Sequence, residues 1–206
     1  HEFNEAIKAA LGIKNLLCTV EKPSLDSFNE LCAAPGIDLL CITGGPAVVD
    51  AAMKTGKRAI CAGPGNPPVV VDDCPGVDFD KVAKDIILGG GFDNNLLCIG
   101  EKQIFAVGDA YGKTRDAMVK NGAVLLNSEQ LEAIKTEIFT VKEDGGGCSH
   151  AVLNRDFVGA DASTLASVAG LTIDPKTELL LAEADADDLF VIEEQMMPLL
   201  PIVRSG

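Results

Sequence analysis

Short aliphatic runs alternate with amphipathic stretches along most of this chain, and no other feature constrains the fold as strongly. Residues 38–43, 58–61, 69–72, 103–107, 123–126, 179–182 and 199–203 read as strands, and so does the shorter apolar run 16–20. Between them lie helical patterns at 2–11, 24–34, 48–53, 78–88, 111–120, 128–139 and 162–169. The first helix carries Phe3, Ile7, Ala10 and Leu11 on one face and closes at Gly12; the second starts at the N-cap Ser24 and stops at Pro35-Gly36. A strand-helix-strand order implies a parallel sheet, because parallel neighbours need a crossover connection. The expected fold class is therefore α/β. Helix 128–139 is acidic and amphipathic and reads as a surface helix.

At 206 residues with 47% apolar content, the chain can build one or two domains with substantial cores. Its net charge of -14, from 17 basic and 31 acidic residues, argues against nucleic acid as a partner. An anionic ligand would have to be held by local backbone N–H groups and helix N-termini. Seven cysteines without paired short spacings fit neither a zinc site nor a disulfide framework, and no metal is expected. Cys18 and Cys41 lie in apolar runs and read as core residues, a usage that fits a reducing cytoplasm. No apolar run approaches the length of a membrane span and no signal peptide is visible, so no membrane partner is expected. Cys148 and His150 sit in a polar, glycine-rich linker at 143–150; two ligands are too few for a metal, and an ordinary loop is expected.

Four segments carry candidate chemistry. Cys98 follows Gly89-Gly90-Gly91 and the turn Phe92-Asp93-Asn94-Asn95, and precedes Gly100 and the charged pair Glu101-Lys102. A nucleophile presented on a glycine-rich approach, with backbone N–H groups near a developing oxyanion, is one reading; a small buried hydrophobe is the other. Thr43-Gly44-Gly45-Pro46 joins a strand to a helix, either as a simple turn or as a place where a cofactor approaches the backbone. Gly63-Pro64-Gly65-Asn66-Pro67-Pro68 is a rigid turn. Glu194, after an apolar strand and before Pro198, is either a solvated charge or a ligand-binding group.

Taken in order, these segments and Asn154-Arg155-Asp156-Phe157-Val158-Gly159 resemble stations of the aldehyde dehydrogenases, and most closely the CoA-acylating branch of bacterial microcompartments. The resemblance implies an aldehyde dehydrogenase-like fold: 1–66 as the C-terminal part of a Rossmann-type NAD-binding domain, and 67–206 as most of an α/β catalytic domain. It implies a fragment of a longer parent. It makes Cys98 the nucleophile, places Thr43, Gly44, Gly45 and Gly63 against the cofactor, and gives Glu194 the nicotinamide ribose. Water-using relatives carry a glutamate base where this chain has Cys61, so CoA rather than water is expected to take the acyl group. The family's asparagine partner for the oxyanion lies in the earlier half, so the isolated chain is expected to be inactive. NAD and CoA are the implied cofactors and a short-chain aldehyde the substrate. The parent is expected to be a cytoplasmic homo-oligomer, associated with a microcompartment shell. Alternatives are a hydrolytic aldehyde dehydrogenase, the aldehyde half of a bifunctional aldehyde/alcohol enzyme, and a non-catalytic assembly module with Cys98 buried. For Arg155 the resemblance leaves two roles open, a CoA phosphate contact or an acidic side-chain partner.

Overall fold

A computed structural model describes residues 1–143 and 149–206, with the backbone alone for 141–143, 149 and 150. The chain divides into two compact units, His1–Pro64 and Gly65–Gly206. Among the described residues no helix is long and apolar enough to cross a membrane.

The first unit contains α1 (Glu2–Leu11), α2 (Leu25–Ala33), β1 (Leu39–Thr43), α3 (Pro46–Met53) and β2 (Arg58–Ala62). β1 and β2 pair in parallel, with Leu40 opposite Ala59, and α3 makes the crossover. Ser24 opens α2 through a capping box, accepting from the Ser27 N–H at 3.1 Å while its own N–H donates to Ser27 Oγ at 2.9 Å. Cys32, Leu40 and Ala52 form a small buried core against which Phe28, Ile42 and Cys61 pack. Two expectations fail here. Run 16–20 is not a strand, because the Asn4 side chain takes both backbone groups of Leu17, at 2.6 and 3.0 Å, and leaves none for a ladder. Cys18 and Cys41 are exposed rather than core: Cys41 alternates with the buried Leu40 along β1 and faces away from the core.

The second unit contains β3 (Pro68–Val71), α4 (Phe79–Gly91), β4 (Gln103–Val107), α5 (Ala110–Lys120), β5 (Val124–Leu126), α6 (Ser128–Ile138), β6 (Phe139–Glu143), β7 (Ser149–Leu153), α7 (Ala162–Val168), β8 (Leu180–Glu183), α8 (Leu189–Ile192) and β9 (Leu199–Ser205). Five strands form one parallel sheet in the order β3-β4-β9-β8-β5, while β6 and β7 pair antiparallel. The central strands are apolar on both faces because both faces are covered. Leu179, Leu181, Leu200 and Ile202 pack with Ile86 and Met118 of α4 and α5, whereas Leu180, Ala182 and Leu199 pack with Ile134, Leu165 and Phe190 of α6, α7 and α8. Each fully buried leucine stabilises the unit by about 2 kcal/mol.

Three local expectations change in this unit. The glycine run 89–91 is the last turn of α4, not a loop approaching a reacting centre. Its glycines are set by crowding: a methyl at Gly90 would meet Leu200 at 2.9 Å, and one at Gly91 would meet the Glu178 carbonyl at 3.1 Å. Helix α6 is not confined to the surface, since Leu131, Ile134 and Ile138 are buried in the second core. Phe139 leaves α6 to begin β6, and the β6–β7 pair takes in residues 143, 149 and 150 at the two ends of the expected linker; residues 144–148, Cys148 among them, lie outside the described residues.

Candidate active site

Strand order builds the site. Because β3, β4 and β9 are adjacent and parallel, their N-terminal ends lie side by side, and so do the segments that enter them: 65–67, 92–102 and 193–198. Gly65, Cys98 and Glu194, scattered along the chain, reach one edge of one sheet. Hydrogen bonds lace these segments together. The Lys102 N–H donates to the Pro67 carbonyl at 3.0 Å, Gln195 Nε2 to the Lys102 carbonyl at 2.9 Å, and Asn66 Nδ2 to the Val191 carbonyl at 2.8 Å.

Between α4 and Cys98 the chain makes a short 3-10 turn, Phe92–Asn95, in which Asp93, Asn94 and Asn95 take φ of 50, 51 and 59°. Asn and Asp tolerate this left-handed region better than other side chains, which accounts for their run here. Asn94 Nδ2 donates to the Gly159 carbonyl at 3.0 Å and to Asp161 Oδ1 at 2.8 Å, and Asn95 Nδ2 to the Glu101 carbonyl at 2.8 Å. Gly159, at φ 72°, lies against Leu96, and a methyl there would meet its side chain at 3.0 Å. The Gly159 N–H in turn donates to the Met196 carbonyl at 3.0 Å. Segment 154–159 therefore supports the Cys98 loop, a connection that no sequence signal showed. Cys98 itself is exposed, so the buried-hydrophobe reading does not hold. Gly65 abuts it, and a methyl on Gly65 would overlap the Cys98 carbonyl oxygen and come within 3.1 Å of its Cβ.

Lys102 is the residue that sequence reasoning missed. It reads as half of a surface charge pair, yet it is fully buried. Its Nζ donates to the Asn95 carbonyl at 2.7 Å, to Asn95 Oδ1, and to the Leu97 carbonyl at 3.1 Å. Burial pushes the ammonium below the usual lysine range, and negative charge on Glu194 and Cys98 opposes that fall. The available signal was its place one residue ahead of a strand buried on both faces. Glu194 is half-buried, and the apolar stretch before it is the one-turn helix α8 rather than a strand, capped by Asp188 accepting from the Phe190 N–H at 2.9 Å.

The first unit holds the other candidates. Thr43 ends β1, Gly44 and Gly45 make the turn, and Pro46 begins α3. The N-terminus of α3 has no side-chain cap, and a methyl on Gly45 would meet nothing within 4 Å. That open, uncapped end suits an anionic group, although Pro46 contributes no donor. Gly63 is likewise uncrowded. Cys61, half-buried on β2, packs against the first unit's core.

No family model matches the chain. It is 42% identical over 204 residues to the acetylating acetaldehyde dehydrogenase EutE of Salmonella typhimurium, covering 98% of this chain and 42% of that relative. The solved propionaldehyde dehydrogenase of Rhodopseudomonas palustris, with bound CoA and an acylated cysteine, is 40% identical and superposes with a TM-score of 0.84 over 98% of this chain and 44% of that one. The chain matches part of a CoA-acylating aldehyde dehydrogenase. A third such enzyme, the propionaldehyde dehydrogenase of the Clostridium phytofermentans fucose utilisation microcompartment, is 40% identical with a TM-score of 0.86, over 98% of this chain and 44% of that one. The expected family and α/β fold class both stand. The chain spans a little over two fifths of the length of these acylating aldehyde dehydrogenases.

Proposed function

We propose that a full-length protein carrying this chain oxidises a short aldehyde to its acyl-CoA with reduction of NAD, through a thioester on Cys98. The observation that carries the reading is an exposed cysteine on an anchored loop at the same end of the sheet as a half-buried glutamate, in a chain similar to this family.

The Cys98 thiolate adds to the aldehyde carbon: an S–C bond forms, and the carbonyl π pair moves to oxygen. The backbone N–H of Cys98 donates to that alkoxide. Bound NAD supplies the acceptor for the hydride that leaves the carbon as the carbonyl re-forms, so the aldehyde carbon is oxidised and NAD reduced. Thr43, Gly44, Gly45 and Gly63 would hold the dinucleotide, with the open end of α3 facing its phosphates, and Glu194 would hold the nicotinamide ribose. A thioester then remains on Cys98. The CoA thiolate adds to its carbonyl, the bond to Cys98 Sγ breaks, and the Cys98 thiolate returns with acyl-CoA as product. Cys61 is no base for activating water, which favours CoA as the acceptor.

Two- and three-carbon aldehydes are the proposed substrates, and a homo-oligomer in the cytoplasm, inside a bacterial microcompartment, the proposed setting. The kinds of relative support both. The test is NADH production by the full-length protein with ethanal or propanal, with and without CoA. Production that requires CoA and yields acyl-CoA is expected; equal rates without CoA, yielding free acid, would refute acyl transfer. NADH production by the isolated 206-residue chain is expected to be negligible.

A further inference from the structure

We infer that Lys102 is a positioning residue for the oxyanion donor: by holding the Leu97 carbonyl inward, it aims the N–H of Cys98 at the reacting carbonyl. The inference rests on the proposed role of Cys98 as the acyl-carrying nucleophile.

The Leu97 carbonyl and the Cys98 N–H belong to one planar peptide unit, and no cis peptide bond occurs among the described residues. In a trans unit these two groups point in opposite directions. Fixing one therefore fixes the other. The Leu97 carbonyl is fixed twice, by the Gly100 N–H at 3.0 Å and by Lys102 Nζ at 3.1 Å. Lys102 has nowhere else to turn: its three ammonium protons meet three acceptors, all within the loop that precedes Cys98. Its N–H and carbonyl are held by Pro67 and Gln195, so the anchor is itself tied to the segments entering β3 and β9. Among the described residues the Cys98 N–H has no hydrogen-bond partner and stays available to substrate. A charged donor on the carbonyl also polarises the peptide unit and strengthens its N–H as a donor.

The test compares two reactions of Cys98 in the full-length protein. Addition to an aldehyde passes through an oxyanion; alkylation by iodoacetamide displaces iodide at a saturated carbon and does not. In Lys102→Met, kcat for NADH production should fall about tenfold or more, less than the loss of a direct oxyanion donor, with KM for the aldehyde within about twofold. The alkylation rate of Cys98, mapped by peptide mass spectrometry, should stay within about twofold of the unsubstituted protein's. Lys102→Gln, which keeps a donor without the charge, should fall between the two and serves if Lys102→Met does not fold. Undiminished turnover overturns the inference. Parallel loss of turnover and alkylation, or unfolding of both variants, also overturns it by assigning Lys102 to loop stability alone. If the unsubstituted protein makes NADH without needing CoA, the acyl-transfer reading fails while the Lys102 comparison proceeds on the same rates; no NADH under either condition overturns both.

Discussion

Gly65 and Gly89 both lack a side chain because something else fills the space, and what fills it decides what an added methyl does. At Gly65 the obstacle is the backbone of Cys98, which cannot step aside without moving the proposed nucleophile. Overpacking of this kind costs about 1–3 kcal/mol. A shift of even an ångström at the thiol lowers turnover by about tenfold or more. Gly65→Ala should therefore lose activity while the circular dichroism of the sheet and helices is retained. At Gly89 the obstacle is the carboxylate of Glu101, the far end of a flexible side chain. It can swing away, and replacing a helical glycine by alanine returns about 0.5–1 kcal/mol. Gly89→Ala should leave both turnover and melting temperature close to those of the unsubstituted protein. Steady-state kinetics and thermal melts on the pair separate the two kinds of crowding.

Helices α6 and α8 are joined by Lys135, whose Nζ lies 2.6 Å from Asp188 Oδ2 and 2.9 Å from Glu132 Oε2, with the Lys135 and Asp188 side chains 19% and 12% exposed. Burial lowers the lysine's proton affinity, but its hydrogen bonds to Asp188 and Glu132 outweigh that and raise it above the ordinary value of 10.5. A cation with a raised folded value contributes its full stability below the unfolded value and loses it as pH climbs through the folded one. Lys135→Met should cost about 1–3 kcal/mol near neutral pH. The deficit should shrink as pH rises past the ordinary lysine value of 10.5 and through the raised folded one, a trend that urea denaturation at several pH values would reveal. Because Asp188 also caps α8, the same substitution should loosen the loop that carries Glu194. At this scale the sequence was legible where local pattern decides: the strands at 38–43, 58–61, 103–107 and 179–182, and the helix capped by Ser24, all form near where periodicity and capping place them. It was not legible where a distant partner decides. Asn4 captures Leu17, Glu178 and Leu200 crowd the glycines that close α4, and Phe139 changes partners at a helix end.

At the scale of the molecule, the site follows from strand order, which local pattern does not contain. Parallel neighbours β3, β4 and β9 present their N-terminal ends together, so a glycine, a thiol and a carboxylate far apart in sequence meet at one edge. Ligands of open α/β sheets usually lie beyond the opposite, C-terminal ends. There a cavity of about 600 Å³ is lined by Tyr111, Glu183 and Arg204, and its lining holds no cysteine. The resemblance points to Cys98 and Glu194 without needing that topology; what it does not contain is the scaffold of buried Lys102 and Asn95 and half-buried Gly159 around the loop. The central claim is that Cys98 carries an acyl group and passes it to CoA. The most direct measurement incubates the full-length protein with NAD and propanal, omits CoA, and locates any mass increase by peptide mass spectrometry. A propanoyl group on Cys98 that disappears when CoA is added, with propanoyl-CoA released in equal amount, is the expected result. No adduct at Cys98, or one that CoA leaves in place, would contradict the account.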